Sequence, residues 1–254
     1  MTTEKAERSR RRPKRMPVME IFGPTIQGEG MVIGRKTMFV RTGGCDYSCA
    51  WCDSAFTWNG DEKAEMMSPK DVYDKLYELG TTEDGKPNFD HVTISGGNPA
   101  LIKDPMNDLI DLLHTDGVQV GLETQGSFWK EWMLKIDDLT ISPKPPSSAM
   151  VTNWDKLDEI VNNLTEGDVN VTLKVVIFDD ADFEYARKIH HRYPHVPFFV
   201  GVGNEDAHEE GDISGRLLKK LGWLWDKVIN DPDFNDVKSL PQLHTLVWAN
   251  RRKV

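Results

Sequence analysis

What this 254-residue chain has little of narrows its function first. It contains 3 cysteines, an odd and low number that argues against a disulfide framework and predicts a reducing, cytoplasmic setting. It has no apolar run approaching the ~18–20 residues that a membrane-spanning helix needs. Met1 to Arg15 is polar and basic, and without an apolar stretch it does not read as a secretory signal. Positive charge is also short: 31 Lys and Arg stand against 41 Asp and Glu, a net of −10. That balance disfavours broad nucleic-acid binding, which needs a basic surface to neutralise phosphates. Disorder and fibrous repeats are excluded by 39% apolar and 28% charged residues. The length fits one large α/β domain or two small ones.

The shortage of cations is uneven. Residues 1–16 hold seven Lys and Arg against Glu4 and Glu7, a net of +5 that leaves −15 for the remainder. The run from Arg8 to Arg15 has two readings, an RNA-binding or localisation patch and a disordered, solvated terminus. The second is preferred, so 1–16 is set apart as a tail and 17–254 is expected to form a single domain.

From Pro17 onward β and α patterns alternate. Thr37 to Arg41 reads as a short buried strand that runs into Gly43-Gly44 and the cysteines. Ser68, Pro69 and Asp71 read as N-cap, first-turn proline and capping box of a helix closed by Gly80. Further strands are expected at 91–95, 118–122, 139–142, 171–178 and 197–202. Helices are expected from Asp104, over 154–164, over 180–193 and, last, over 214–229. Near-continuous apolar strands between helices imply a parallel sheet, open or curled toward a barrel. Ligands of such folds bind at the carboxyl ends of the strands. The polar and glycine clusters fall there: the cysteines, Ser95 to Asn98, Glu123 to Gln125, and Ser142 to Lys144. Each alone would pass as an ordinary loop; their shared location points to one site.

All three cysteines lie in that first loop, at Cys45, Cys49 and Cys52. Structural zinc takes four ligands, and no second cysteine pair or nearby histidine supplies them. A redox Cys-x-x-Cys pair uses Cys49 and Cys52 and leaves Cys45 idle. An iron–sulfur cluster normally takes four thiolates. Three leave one iron open to a small molecule, which is chemistry and not only electron storage.

The segment Cys45-Asp-Tyr-Ser-Cys49-Ala-Trp51-Cys52 resembles the motif of radical S-adenosylmethionine (SAM) enzymes, with Trp51 in its aromatic position. Ser95-Gly-Gly-Asn-Pro99 resembles the Gly-Gly-Glu-Pro stretch of the same superfamily. It departs from it at Asn98, where Glu is usual. Asn carries no charge, so its contact to the SAM amino group would be a neutral hydrogen bond, or be shared with another residue. Phe22 to Gly30, Arg41, Asp53-Ser54, Ile141 to Pro145 and Leu240 to His244 together resemble the 7-carboxy-7-deazaguanine synthase family. These segments run from near Pro17 almost to the end of the sequence.

The resemblance implies an α/β fold, a single-domain partial TIM-like barrel of mostly parallel strands. It implies a lyase that contracts the ring of 6-carboxy-5,6,7,8-tetrahydropterin to 7-carboxy-7-deazaguanine with loss of ammonia, on the path to queuosine and related deazapurines. Cys45, Cys49 and Cys52 would ligate a [4Fe–4S] cluster. Trp51, Gly96, Gly97, Asn98, Glu123, Ser142, Pro143, Lys144 and Lys174 would surround SAM. Ile26, Gln27, Gly28, Glu29, Arg41, Ser95 and His244 would hold the substrate, and Ser54 would ligate Mg²⁺. A flavodoxin- or ferredoxin-type electron donor and a homodimer are also implied; Trp223 and Trp225, if exposed, hint at the interface.

Plainer readings stand beside several of these roles. A guanidinium at Arg41 can grip a carboxylate with two parallel bonds, or pair with a nearby acid. Gln27 and Glu29 can read the amide-like edge of a pterin, or form a polar turn. Lys174 on an apolar strand can be a snorkelling lysine. Gly96 and Gly97 can admit a ligand or make a plain turn. Ser54 can offer its hydroxyl to Mg²⁺ or cap the next turn. Trp51 can be a packing aromatic, and a lone histidine such as His244 is usually structural. Two other functions compete: a radical SAM activating enzyme, and a zinc-binding interaction module whose tail contacts RNA.

Overall fold

A computed structural model describes residues 14–207 and 209–254. Residues 1–13, most of the basic tail, lie outside the described residues. The strand pattern begins at Met16, inside the boundary expected for the tail, because Met16 is fully buried. Lys14 pairs with Asp104 at 2.7 Å and Arg15 donates to the Met66 carbonyl at 2.7 Å.

The described residues contain nine strands: β1 (Met16–Ile26), β2 (Lys36–Thr42), β3 (Glu65–Met67), β4 (His91–Gly96), β5 (Gln119–Thr124), β6 (Asp138–Ile141), β7 (Val171–Ile177), β8 (Phe198–Val202) and β9 (Lys238–Leu240). They form one sheet in the order β3-β1-β2-β4-β5-β6-β7-β8-β9. From β2 to β9 every pairing is parallel, and β1 runs antiparallel to both β2 and β3. The first and last strands of that order do not pair, so the sheet is the unclosed parallel array that the apolar strands implied.

Five helices cover the outer face, α1 (Pro69–Gly80), α2 (Asp104–Thr115), α3 (Trp154–Glu166), α4 (Asp180–Arg192) and α5 (Ser214–Ile229), and a short α6 (Leu243–Trp248) packs against α5. Their starts follow from local chemistry. The Ser68 hydroxyl accepts from the Asp71 amide at 3.2 Å while the Ser68 amide donates to Asp71 at 2.9 Å, the capping box read from the sequence. The side chains of Asn153 and Asp179 cap α3 and α4 by accepting from the Lys156 and Asp182 amides, without the reciprocal bond. Val72 and Leu76 of α1, Leu109, Ile110 and Leu113 of α2, and Ile160, Val161 and Leu164 of α3 are buried against the strands. Leu139, Leu173, Val175 and Ile177 of the central strands have essentially no exposure.

Four elements escaped the sequence reading. In β1 the inward row is Met16, Val18, Glu20 and Phe22. A glutamate in that row, with Pro17, Gly23 and Pro24 in the strand, hides the alternation that marks a half-buried strand. The edge strands β3 and β9 have three residues each, too few for any period. The helix expected to be last is followed by α6, whose six residues are shorter than two helical turns.

Because the strands from β2 to β8 are parallel, their carboxyl ends open on one side. The loops leaving them carry the cysteines, Gly97-Asn98, Gln125, Ser142 to Lys144, Phe178 and Gly203. Among the described residues no helix is long and apolar enough to cross a membrane.

Candidate active site

The loop after β2 is pinned at several points. Gly44 donates its N–H to the Thr57 carbonyl at 2.8 Å and accepts from the Asn98 amide at 2.8 Å; Ala50 donates to the Ser148 carbonyl at 3.0 Å. The end of β4 presses directly on this loop. Gly96 has φ of +128°, and a Cβ there would lie 2.3 Å from the Thr42 amide nitrogen. A Cβ on Gly97 would lie 2.0 Å from the Gly44 carbonyl oxygen. These glycines therefore serve first to bring two stretches of backbone together, one of which carries Cys45.

The loop presents three free, half-buried thiols to a cavity of about 270 Å³. Burial pushes the Cys49 thiol up to about 11, against the pull of the Lys144 ammonium, and burial raises Cys45 as well. Thiols placed this way are costly to ionise alone and gain most from a cationic centre, which deprotonates its sulfur ligands outright. Among the described residues no three His, Cys, Asp or Glu side chains come together as a single-ion site. The donor set thus suits a centre of several irons, each taken by a different sulfur, better than tetrahedral zinc.

Most of the sequence-predicted residues line the same cavity: Trp51, Ser95, Gly96, Gly97, Glu123, Ser142, Lys144 and Lys174 beside the thiols, with Ile26, Gln27, Glu29, Arg41, Ser54 and His244. The Trp51 indole donates to Ser147 Oγ at 2.9 Å, packs on Phe178 with ring centres 4.8 Å apart, and has the Lys144 ammonium 5.9 Å from its ring centre. Ser147 in turn donates to the buried Asp182 at 2.6 Å. Lys144 also donates to Ser142 Oγ at 3.3 Å. Ser54 donates to Asp53 Oδ1 at 2.9 Å and makes no side-chain cap on the following turn.

Three predicted residues do not line it. Pro143 is buried between its two lining neighbours. Gly28 lies against His244: a Cβ there would sit 2.1 Å from His244 Nδ1, and the Gly28 carbonyl accepts from the Leu243 amide at 2.8 Å. Asn98 is fully buried, with its side chain occupied by Asp46, Ser127, Ala100 and Thr124.

The floor of the cavity holds a charged set. Lys174 reaches Glu29 at 3.0 Å, and Gln27 donates to Glu123 Oε1 at 3.0 Å. Burial works to raise the Glu29 carboxyl, but the charges of Lys174 and His244 prevail and hold it near 2. Burial disfavours the Lys174 ammonium as well, yet Glu29 and Glu123 keep it above its ordinary value. Glu123 moves the other way, raised by burial. Two carboxyls around one ammonium are driven apart: Glu29 is a permanent acceptor, and Glu123 is the group better able to hold a proton.

Arg41 sits at the rim. It donates to Glu20 Oε2 at 3.0 Å, and its guanidinium carbon lies 5.4 Å and 5.6 Å from the ring centres of Phe22 and Phe56. The acid-pairing reading of Arg41 therefore holds, and the same side chain also lines the cavity. Residues that the sequence did not disclose complete the rim. Residues 249–254 line the cavity, with Arg252 bonded to Glu20 and Glu62 and stacked 3.6 Å from the centre of Phe56. The signal was Glu20 itself, since a side chain only 1% exposed needs cations, but it is visible only once β1 is known.

Residues 26–143 match the model of a 4Fe-4S single cluster domain. The thiol loop at the open end of the sheet lies within that segment, so this part of the chain is similar to iron–sulfur cluster domains. Two curated relatives are similar along nearly their whole length. The 7-carboxy-7-deazaguanine synthase of Bacillus cereus is 56% identical over 94% of this chain and 99% of that protein. That of Bacillus subtilis (strain 168) is 55% identical over 95% and 99%. The chain belongs to the 7-carboxy-7-deazaguanine synthase family. The fold is shared with the crystal structure of QueE from Escherichia coli, at a TM-score of 0.59 and 20% identity over 91% of this chain and 95% of that one.

Proposed function

We propose that this chain is a radical SAM lyase that converts 6-carboxy-5,6,7,8-tetrahydropterin to 7-carboxy-7-deazaguanine with loss of ammonia. The observation that carries the reading is the meeting of three free thiols, a buried Lys174–Glu29 pair and Arg41 in one cavity at the carboxyl ends of the strands. Cys45, Cys49 and Cys52 hold a [4Fe–4S] cluster, which together with SAM supplies the electron and the hydrogen-abstracting radical that no side chain can provide. Trp51 and Lys144 flank that centre, with Ser142, Gly96 and Gly97 as the adjoining wall for SAM.

The substrate's carboxylate faces Arg41, whose five donors exceed the one spent on Glu20. Gln27 and Glu29 read the guanine-like edge of the pterin, with Glu29 kept ionised by Lys174. His244 and Ile26 shape the other side. Ser54 offers its hydroxyl oxygen to Mg²⁺, with Asp53 bonded behind it and the substrate's own carboxylate completing the set. A basic tail ahead of β1 beside one catalytic domain, a cytoplasmic setting, a flavodoxin- or ferredoxin-type donor and a homodimer complete the proposal. Support for the second copy is the exposure of Trp225 on α5, at 45%, with Leu218 and Ile229 of the same helix; Trp223 packs against the core.

The test is direct. Anaerobically reconstituted protein should be brown with about four irons and bleach on reduction. Mixed with SAM and the carboxytetrahydropterin, it should yield the deazaguanine chromophore. SAM cleavage without that product would remove the ring-contraction reading; a colourless protein with one zinc would remove the cluster.

A further inference from the structure

Two side chains that the proposed reaction leaves unused aim N–H groups at cysteine sulfurs. Gln125, buried just after β5, places Nε2 2.7 Å from Asp46 Oδ1 and 3.6 Å from Cys45 Sγ. An amide nitrogen carries two hydrogens, so one serves the carboxylate and the other the sulfur. Trp58 follows the short turn after the cysteine loop, and its Nε1 lies 3.4 Å from Cys52 Sγ. An indole N–H can only donate. The Tyr47 backbone amide adds a further donor to Cys45, at 3.4 Å.

The orientation of Gln125 is enforced from below. Asn98 Nδ2 donates to Asp46 Oδ1 at 2.8 Å and to Ser127 Oγ at 2.9 Å. Its Oδ1 accepts from the Ala100 amide at 3.1 Å and from Thr124 Oγ1 at 2.9 Å. With four partners Asn98 cannot turn, so Asp46 is fixed. Asp46 Oδ1 accepts from both amides, so it holds the nitrogen of Gln125, and not its oxygen, toward the sulfur.

We infer that Gln125 and Trp58 are positioning residues that set the reduction potential of the cluster, Gln125 being aimed at Cys45 by Asn98 through Asp46 while Trp58 acts on Cys52. The inference rests on the proposed cluster ligation by the three cysteines. Reduction adds negative charge to the cluster and its sulfurs, and an N–H dipole pointed at sulfur stabilises that charge. Each such bond makes the cluster easier to fill with an electron and weaker at passing it on. The number of these bonds therefore balances supply from the donor against cleavage of SAM.

The experiment compares wild type, Gln125→Leu, Trp58→Phe and the double variant, each reconstituted anaerobically and titrated by electron paramagnetic resonance without SAM. Equal iron content is expected, with a more negative midpoint in each single variant and the most negative in the double. Loaded variants that titrate with the wild-type midpoint overturn the inference and leave the cluster assignment standing. A wild type that takes up no iron overturns the cluster assignment itself. Should a variant fail to load, pulsed resonance on reduced wild-type protein labelled with ¹⁵N in Gln side chains and Trp indoles decides the matter. Couplings from both labels are expected, and their absence overturns the inference.

Discussion

The two ends of the parallel strands bury ionisable groups in opposite ways. At the amino end, His91 of β4 is fully buried beside Thr37, whose hydroxyl is 2.8 Å from its Nδ1. Burial, aided by the Arg35 charge, pulls its pKa down to about 4, so the ring is neutral at physiological pH. The nearby charges reach water through Arg35, 28% exposed, and Asp90, 79% exposed: Arg35 meets the less exposed Asp138 at 3.3 Å and Asp90 at 3.6 Å. At the carboxyl end, Lys174, 9% exposed, stays an ammonium and Glu29, 20% exposed, stays a carboxylate. Charges withdrawn this far from water cost stability unless tightly paired. One end sheds charge to keep the fold; the other retains it where a ligand can meet it.

Several substitutions can break or sharpen this contrast. The largest effect belongs to Cys49→Ala, expected to lose iron, colour and turnover together while the far-ultraviolet dichroism of the apoprotein is unchanged; a brown, active variant would refute the ligand assignment. Next comes Lys174→Met, which strands Glu29 beside Glu123 and should cost about 3–5 kcal/mol in denaturant unfolding, as removal of one partner of a buried pair does. The matching change at the other end, Arg35→Met, should cost only about 0–1 kcal/mol, because its pairs are part-solvated. Equal losses at both ends would erase the contrast.

The pH dependence tests the amino end separately. A depressed histidine pKa means that the folded state binds fewer protons than the unfolded one. The stability is thus full above the ordinary value of 6.5 and is lost as pH falls toward about 4. The loss from His91 over that window should approach about 3 kcal/mol. His91→Gln should flatten the curve there, and an unchanged curve would mean that the ring is not held neutral. Glu29 contributes in a lower window: its share is present above the usual carboxylate range and goes only as pH falls toward about 2. The smallest effect is expected from Arg41→Lys, which should keep the iron and the fold but raise the substrate KM roughly tenfold, since an ammonium cannot make the paired contact. An unchanged KM would rule out the carboxylate grip.

Much of this was legible in the sequence, for physical reasons that differ by element. The capping box at Ser68 is purely local, and the apolar runs of β7 and β8 are long enough to show burial on both faces. The cysteine loop was legible because its spacing is itself the chemistry. The site's outer wall was not. It depends on Glu20 in a strand masked by prolines, on a short α6, and on residues 249–254, whose partners lie up to 232 positions away in the chain. The backbone role of Gly96 and Gly97 was half visible: the sequence shows that space is needed there, and only the fold shows that the Thr42–Cys45 backbone fills it. Asn98 was placed at SAM on its motif position, whereas its side chain is spent on Asp46 and the groups around it.

The bonding of Arg252 to Glu20 and Glu62 also ties β1 to residues 249–254 across the rim of the cavity. Glu20 holds Arg41 on Oε2 and Arg252 on Oε1. One carboxylate thus serves as the clasp of two cations, so a change that frees 249–254 also loosens the seating of Arg41.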